Sequence, residues 1–262
     1  MARTGGQDTS FEGILERGSA KLSARAPWRP PLGTQTTSGR RARAMRPEKD
    51  VFDHSFSRGY TKLSQAADAF NFDFRNKTVL DIGSSTGGFT KYALDHGAAK
   101  VIAVEKGTNQ MMSPPRYDPR IELHEKTNIF GFKLGTGDET ERNPVEHPKG
   151  GAAGREVPAG PAPSVIVADV SFISLTKILK HAKQHLAGIH TEFLVMLKPQ
   201  FEAKPYQLNK GVVKNETIRR EVIKNFESWL KANGFLIVNK RDNHLKGKTG
   251  NREKFYYLTL AK

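Results

Sequence analysis

A short apolar run that leads into a glycine-rich turn constrains this chain more than any other feature. Val79 and Leu80 precede Asp81, residues 83–88 read Gly-Ser-Ser-Thr-Gly-Gly, and a helix-like segment begins at Phe89. Glycine has no Cβ, so a turn built from it lets the backbone approach a ligand closely. The spacing Asp-x-Gly-x-x-x-Gly-Gly differs from the Gly-x-Gly-x-x-Gly of dinucleotide-binding folds. The turn therefore favours a nucleoside-bearing ligand without a pyrophosphate, with S-adenosylmethionine as the main candidate, over a tight turn that binds nothing.

Apolar runs alternate with segments of helical periodicity from residue 57 to the C-terminus. Strand-like runs lie at 79–80, 101–104, 165–168, 193–197, 235–238 and 255–260. Helical apolar faces lie at 63–70, 89–96, 175–186 and 218–229. This alternation indicates βαβ units, and the non-helical connection between the last two strands predicts an antiparallel pair. We predict an α/β, Rossmann-like fold with a mostly parallel, doubly wound sheet and an antiparallel C-terminal strand.

Four polar residues stand where the parallel strands are predicted to end. They are Asp81, Glu105, Asp169 and Lys198. Ligands of doubly wound sheets bind at the carboxyl ends of the strands. Packing alone does not account for this placement, so the sequence predicts an active site at this edge of the sheet.

The net charge of the chain indicates a polyanionic partner. The sequence has 262 residues, with 42 Lys and Arg against 27 Asp and Glu, so its formal net charge is +15. Nucleic acid is the first candidate, although acidic membrane surfaces attract the same charge. The lack of cysteine excludes disulfides, thiolate zinc sites and cysteine nucleophiles. No window approaches the roughly 18 consecutive apolar residues of a membrane span, so we expect a soluble, cytoplasmic protein.

Two stretches of the chain depart from the composition of a folded domain. Residues 1–50 mix Gly, Ser, Thr, Pro and Arg without sustained periodicity, which predicts a basic, disordered tail. Residues 51–262 are predicted to form the folded domain. Within it, residues from about 131 to 163 are rich in Gly, Pro and charge, and we expect a flexible insertion there rather than a lid.

Four further segments carry polar residues that are able to act together. They are Ser-Arg-Gly-Tyr-Thr-Lys-Leu at 57–63, Asp-Val-Ser-Phe-Ile-Ser at 169–174, Lys-Pro-Gln-Phe-Glu at 198–202 and Gly-Asn-Arg-Glu at 250–253. With these segments and the glycine turn, the chain from Ser57 onward resembles the TlyA family, S-adenosylmethionine-dependent RNA methyltransferases with an FtsJ-like catalytic domain. The blocks at 169–174 and 198–202 are highly specific in combination.

The resemblance implies methyl transfer to a ribose 2′-hydroxyl of RNA, in characterised relatives to cytidines of ribosomal RNA. It also implies a catalytic tetrad of Lys62, Asp169, Lys198 and Glu253. A ribose hydroxyl is a weak nucleophile and a sulfonium methyl a strong electrophile, so the enzyme must mainly align the reactants and assist loss of one proton. Lys198 is the candidate base, although neighbouring carboxylates favour its charged form and the balance stays open. No metal is expected.

The cofactor site is predicted around the glycine turn. The turn would pass under the methionine part of S-adenosylmethionine, with a carboxylate from the first strand anchoring nearby polar groups. Glu105 follows about twenty residues later, where a carboxylate accepts hydrogen bonds from both ribose hydroxyls. In the family, the block at 126–129 contacts the adenine. The predicted cofactor-binding residues are Asp81, Gly83, Ser84, Gly87, Gly88, Phe89, Glu105 and Asn128.

Three aromatic residues have two interpretations each. Phe89 either covers the cofactor or belongs to the core. Phe172 and Phe201 either stack on a base or pack, and packing is slightly favoured. The candidates for an RNA-facing surface are Lys204, Lys210, Lys214, Arg219, Arg220, Lys240, Arg241, Lys246 and Lys248.

The chain departs from the family pattern in two places. Relatives begin with an S4-type RNA-binding module, which residues 1–50 do not resemble. The family has an aromatic directly after the last tetrad residue, whereas Lys254 follows Glu253 here, so either a bulge absorbs it or Glu253 is displaced. A non-catalytic RNA-binding protein is therefore an alternative. A haemolysin-like, membrane-active protein is a weaker one, and a nicotinamide-dependent oxidoreductase is disfavoured by the glycine spacing.

Overall fold

The structure, a computed structural model, describes residues 57–135, 161–245 and 250–261. The predicted tail and most of the predicted insertion lie outside these residues, so both stay predictions. The first residues of the predicted insertion belong to the folded domain, because Phe132 and Leu134 are buried in its core.

The described chain alternates strands and helices. The strands are β1 Thr78–Ile82, β2 Lys100–Val104, β3 Ile121–His124, β4 Val165–Ala168, β5 Glu192–Leu197, β6 Phe235–Asp242 and β7 Lys254–Leu260. The helices are α1 Arg58–Phe70, α2 Gly88–Asp95, α3 Leu175–His185, α4 Pro199–Glu202 and α5 Glu216–Ala232. The predicted strands and helices are all present, and their bounds differ from the predicted ones by a few residues.

The strands form one sheet in the order β3-β2-β1-β4-β5-β7-β6. Neighbouring strands among β1 to β5 are parallel, and β7 is antiparallel to both β5 and β6. This confirms the predicted doubly wound sheet with its antiparallel C-terminal strand. Strand β3 was not predicted, because it is a short edge strand whose four residues are only half buried.

Apolar side chains cover both faces of the sheet. Successive residues of a strand point to opposite faces, so Leu80 and Val79 of β1 belong to different apolar clusters. Helices α3 and α5 contribute to the first cluster, and α1 and α2 contribute to the second.

The strand order reverses between β1 and β4. From β1 the chain proceeds outward to β2 and β3, and it then returns to the other side of β1 to form β4. The loops that follow β1 and β4 therefore leave in opposite directions and open a crevice, which is where doubly wound sheets bind ligands. The Asp169 N–H still donates to the Ile82 carbonyl at 3.4 Å, so the two loops begin side by side.

Candidate active site

The glycine turn connects β1 to α2 at this crevice. The Gly83 N–H donates to the Val104 carbonyl at 2.9 Å, which holds the turn against the end of β2. Gly87 has a φ of 85°, a left-handed conformation that favours glycine. It is also the N-cap of α2, and no side chain caps the helix there. The first N–H groups of α2 are thus available to a ligand.

Gly88 allows two helices to meet at the turn. A Cβ at this position would lie 2.3 Å from the Ser57 Oγ and 2.7 Å from the Tyr60 backbone nitrogen. Only glycine lets the start of α2 pack this closely on the start of α1. This contact brings α1, which carries Lys62, next to the glycine turn.

Asp81 is fully buried and lies inside β1, one residue before the last residue of the strand, Ile82. The Thr90 hydroxyl donates to its Oδ2 at 2.7 Å. Burial raises the pKa of Asp81 to about 7. The hydrogen bond from Thr90 opposes this rise, and the negative charge of Asp169 adds to it. Within the described residues, Asp81 Oδ1 and Ser84 Oγ are buried without a hydrogen-bond partner. Polar atoms left in this state next to a glycine turn fit a ligand that supplies the missing partners.

Three other predicted cofactor residues have defined contacts. The Glu105 carboxylate accepts the Ser85 N–H at 2.9 Å and the Gly107 N–H at 2.6 Å, which orients it at the end of β2. Asn128 is exposed, and its side chain accepts the Phe130 N–H as a helix cap. Phe89 is buried, and its ring stacks on Phe255 with centroids 6.1 Å apart. The roles of Asn128 and Phe89 toward a cofactor stay predictions.

The four residues of the predicted tetrad form one chain of opposite charges. Lys198 Nζ lies 2.6 Å from Asp169 Oδ1. Asp169 Oδ2 lies 4.0 Å from Lys62 Nζ, which in turn lies 2.7 Å from Glu253 Oε2. The side chains come from α1 and from the ends of β4, β5 and β7, and all but Asp169 are buried. Two lysines and two carboxylates balance one another, which is what allows three of the four charges to be buried.

This charged chain lies directly beside the glycine turn. A Cβ at Gly83 would lie 3.4 Å from the Asp169 carbonyl oxygen and 3.3 Å from Val170 Cγ1. A ligand seated on the turn therefore has the backbone of Asp169 and the side chain of Val170 as immediate neighbours. The proximity that the sequence predicted for these distant residues is present in the structure.

Besides the Lys198–Asp169 pair, the two specific sequence blocks contact each other at three further points. Lys198 Nζ donates to the Ser171 Oγ at 2.9 Å, and the rings of Phe172 and Phe201 lie 5.3 Å apart. At the far end, the Glu202 carboxylate accepts the Ser174 hydroxyl and the Leu175 N–H, both at 2.6 Å. Glu202 thereby caps the start of α3 and ties the loop after β4 to the loop after β5.

Replacing Glu202 by alanine is expected to destabilise the protein. The change removes two short hydrogen bonds to a carboxylate, each worth roughly 1.5–3 kcal/mol. Denaturant unfolding should show a loss of about 3 kcal/mol, together with a lower kcat, because both catalytic loops lose their tie. Glu202→Gln retains an acceptor and should lose less. Equal stability of wild type and Glu202→Ala would show that the loops are held by other contacts.

The structure resolves the question raised by Lys254. Strand β7 pairs in continuous register with β5 from Lys254 onward, so no bulge lies there. The side chain of Lys254 points to the opposite side from that of Glu253, and its Nζ lies 3.1 Å from Asp242 Oδ1. Glu253 consequently remains aimed at Lys62.

The structure contradicts the prediction that Arg219 belongs to an RNA-facing surface. Arg219 is buried and donates to Asp242 at 2.7 Å, so it ties α5 to β6 instead of facing solvent. Lys240 is paired with Glu227. Lys204, Lys210 and Lys214 are exposed as expected, whereas Lys246 and Lys248 lie outside the described residues.

The chain is similar to a known protein family and to several named relatives. The model of the FtsJ-like methyltransferase family matches residues 56–260. Hemolysin A of Brachyspira hyodysenteriae is 36% identical over 206 residues, which cover 78% of this chain and 76% of the relative. The 23S rRNA (cytidine-2′-O)-methyltransferase TlyA of Campylobacter jejuni is 32% identical over 203 residues, 77% of this chain and 69% of the relative.

A solved structure supports the same relationship. A Streptococcus thermophilus protein described under the hemolysin name superposes with a TM-score of 0.66 at 32% identity, over 79% of this chain and 67% of that one. In the part of the chain that the structure describes, no helix is long and apolar enough to cross a membrane. From the family match, the identity to relatives and the shared fold, the chain belongs to the FtsJ-like methyltransferase family and, within it, to the TlyA proteins.

Proposed function

We propose that this protein transfers a methyl group from S-adenosylmethionine to a ribose 2′-hydroxyl of ribosomal RNA, with a cytidine as the target. The observation that carries the proposal is the chain Lys198–Asp169–Lys62–Glu253 beside the glycine turn. An intact arrangement of these four charges favours a catalytic protein over the non-catalytic RNA-binding alternative. The TlyA relative is named for this reaction on 23S rRNA.

The residues around the turn fit S-adenosylmethionine. Among the residues that the structure describes, Asp81 Oδ1 and Ser84 Oγ lack partners and α2 begins without a side-chain cap, so donors and acceptors are available for the polar groups of a methionine moiety. Glu105 presents an oriented carboxylate at the end of β2, which suits a ribose diol. The cofactor supplies an electrophilic methyl group carried on a sulfonium sulfur.

The charged chain has a distinct task for each lysine. Lys198 first releases its ammonium proton to solvent and then accepts the proton of the ribose hydroxyl, while Asp169 and Ser171 hold its Nζ in place. Lys62 remains paired with Glu253 and stabilises negative charge that develops on the hydroxyl oxygen. After the transfer, Asp169 stabilises the ammonium form of Lys198.

Labelling of RNA tests the reaction. The full chain is incubated with S-adenosylmethionine that carries a tritiated methyl group and with ribosomal subunits lacking the modification. We expect label in a dinucleotide that resists alkaline hydrolysis, because a 2′-O-methyl group blocks cleavage of the adjoining phosphodiester. Label recovered on a base would overturn the assignment to the 2′-oxygen. Absence of label from RNA would overturn the assignment of RNA as the substrate.

An exposed aromatic residue offers a surface for the target nucleotide. Phe172 is 91% exposed, contrary to the packing interpretation, and its φ of 64° lies in the left-handed region that bulky residues avoid. It follows Asp169 by three residues and lies next to Ser171. A ring held in this way, one residue from a partner of Lys198, suits stacking on the base whose ribose is methylated.

Phe172→Ala is expected to raise the KM for RNA about tenfold or more, since stacking contributes roughly 1–3 kcal/mol per base. Affinity for S-adenosylhomocysteine and the unfolding midpoint should remain unchanged, because the ring is exposed. Phe172→Tyr keeps a ring and should retain the wild-type KM. An unchanged KM in the alanine variant would contradict stacking.

A further inference from the structure

Glu253 receives two hydrogen-bond donors on a single oxygen. Lys62 Nζ lies 2.7 Å from Glu253 Oε2, and Asn243 Nδ2 donates to the same atom at 3.2 Å. Asn243 is only 9% exposed and Glu253 only 3%. Asn243 has no place in the sequence blocks that carry the family resemblance, because it follows β6, ten residues before Glu253.

The orientation of the Asn243 amide follows from its other contacts. Its Oδ1 accepts the Leu245 N–H at 3.3 Å, so the amide nitrogen faces Glu253. The reversed orientation would set two oxygens against each other and would lose the bond from Leu245. The backbone of the two residues is also joined, since the Asn243 N–H donates to the Glu253 carbonyl at 2.9 Å.

The segment that carries Glu253 is clamped on its other side as well. Asn251 donates to the Gly211 carbonyl at 3.0 Å and accepts the Val213 N–H at 3.1 Å. The Arg219 Nε donates to the Arg252 carbonyl at 3.4 Å. These contacts fix the backbone of Glu253, so the remaining freedom is rotation of its carboxylate, which Asn243 restricts.

We propose that Asn243 is a positioning residue, which holds the ionised Glu253 carboxylate against Lys62 and thereby holds Lys62 beside Asp169. This inference rests on the proposed function. A donor hydrogen bond favours the charged form of a carboxylate. Without this hydrogen bond, Glu253 is free to rotate away from Lys62. Lys62 then shifts toward its other partner, Asp169.

Asn243→Asp tests this role with almost no change in shape. The new side chain still accepts the Leu245 N–H, but it turns a carboxylate oxygen toward Glu253 where the amide donated. Two carboxylates so close cannot both be ionised without cost, and a single proton shared between them restores a donor. We expect kcat to fall about 10- to 100-fold at pH 8, the size of a hydrogen bond to a charged group, with little change in KM.

The signature of positioning is a pH dependence of the ratio between variant and wild type. Lys62 contacts Glu253 and lies 4.0 Å from Asp169, which pairs with Lys198, while Arg241 and Asp242 end β6 just before Asn243 and His244 follows it. All are present in both proteins, so the ratio reports what the substituted side chain adds. The ratio of kcat values should rise as the pH falls and the carboxylate pair takes up a proton.

Asn239→Asp serves as the matched control. Asn239 lies on β6, the strand that precedes Asn243, and is exposed, so the same chemical change there adds a charge without a buried neighbour. Its kcat and its pH profile should match wild type.

Denaturant unfolding provides a second measurement that does not depend on activity. The stability penalty of Asn243→Asp should shrink as the pH falls, while that of Asn239→Asp should not. A kcat ratio and a stability penalty that are both independent of pH would overturn the role of Asn243. Failure of the wild type to methylate a 2′-hydroxyl would instead overturn the proposed function, and the unfolding result would still stand by itself.

Discussion

Lys198→Ala should abolish methyl transfer and leave the cofactor site intact. Removing a general base typically costs about 10²–10⁴-fold in kcat. Lys198 contacts Asp169 and Ser171, and it touches none of the partnerless polar atoms at the glycine turn. Calorimetric titration should therefore give a Kd for S-adenosylhomocysteine within about threefold of wild type.

A second variant, Lys198→Arg, separates the loss of a base from an effect on folding. Loss of Lys198 leaves Asp169 with a single cationic neighbour at 4.0 Å, which destabilises a half-buried carboxylate. Lys198→Arg retains the charge, yet a guanidinium does not lose its proton in proteins and cannot act as a base. Both variants should be inactive, and the exposed Lys180→Ala on α3 should behave as wild type. Transfer that survives in Lys198→Arg would show that Lys198 is not the base.

Asp81→Asn is expected to have opposite effects on stability and on cofactor binding. Asp81 is buried with a pKa of about 7, against an ordinary value of 3.8. Between these values the folded protein keeps a proton that the unfolded chain has lost, so wild-type stability falls as the pH rises through this window. Asparagine does not titrate. The stability of the variant relative to wild type should therefore grow between pH 4 and pH 8, by up to roughly 4 kcal/mol at 1.36 kcal/mol per pKa unit.

Asp81→Asn should bind S-adenosylmethionine more weakly than wild type does, although it is the more stable protein. An ionised Asp81 suits the cationic groups of S-adenosylmethionine, so wild-type affinity should weaken as the pH falls below about 7. Asp81→Asn should bind about 10- to 100-fold more weakly at pH 8, as for a lost charged hydrogen bond. Denaturant unfolding and calorimetry across this pH range measure both quantities.

Asp73→Asn is a control that removes a carboxylate whose pKa is lowered in the folded protein, whereas that of Asp81 is raised. Arg75 lowers the pKa of the exposed Asp73 to about 2, so wild type loses that contribution only in acid, as the pH falls toward this value. Its removal should leave cofactor binding unchanged. A difference between Asp81→Asn and wild type that does not vary with pH would contradict the burial of an unpartnered carboxylate.

Local patterns accounted for most of the fold. Apolar runs that are buried on both faces, such as 165–168, read as strands without any tertiary information. Strand β3 escaped prediction because an edge strand needs few apolar residues. Arg219 was misassigned to the surface because helical spacing shows which side of α5 it occupies, but not that it is buried there in a pair with Asp242.

The contacts that complete the site were beyond the reach of sequence patterns. Thr90 supports Asp81, and Asn243 supports Glu253, across different elements. Nothing in the residue types of either pair indicates the partnership. The exposure of Phe172 was also unpredicted, because aromatic residues usually pack and only its left-handed backbone turns this one outward.

The sequence by itself determined the doubly wound sheet and the glycine turn, because periodicity and turn chemistry act over a few neighbouring residues, and its resemblance to the TlyA family implied the four tetrad residues. Only the tertiary structure decided that Lys62 pairs more closely with Glu253 than with Asp169, and that Asn243 shares this carboxylate. Those contacts depend on strand register and on the close approach of α1 to α2 at Gly88. A shift of a single residue in register would turn Glu253 to the opposite face of the sheet.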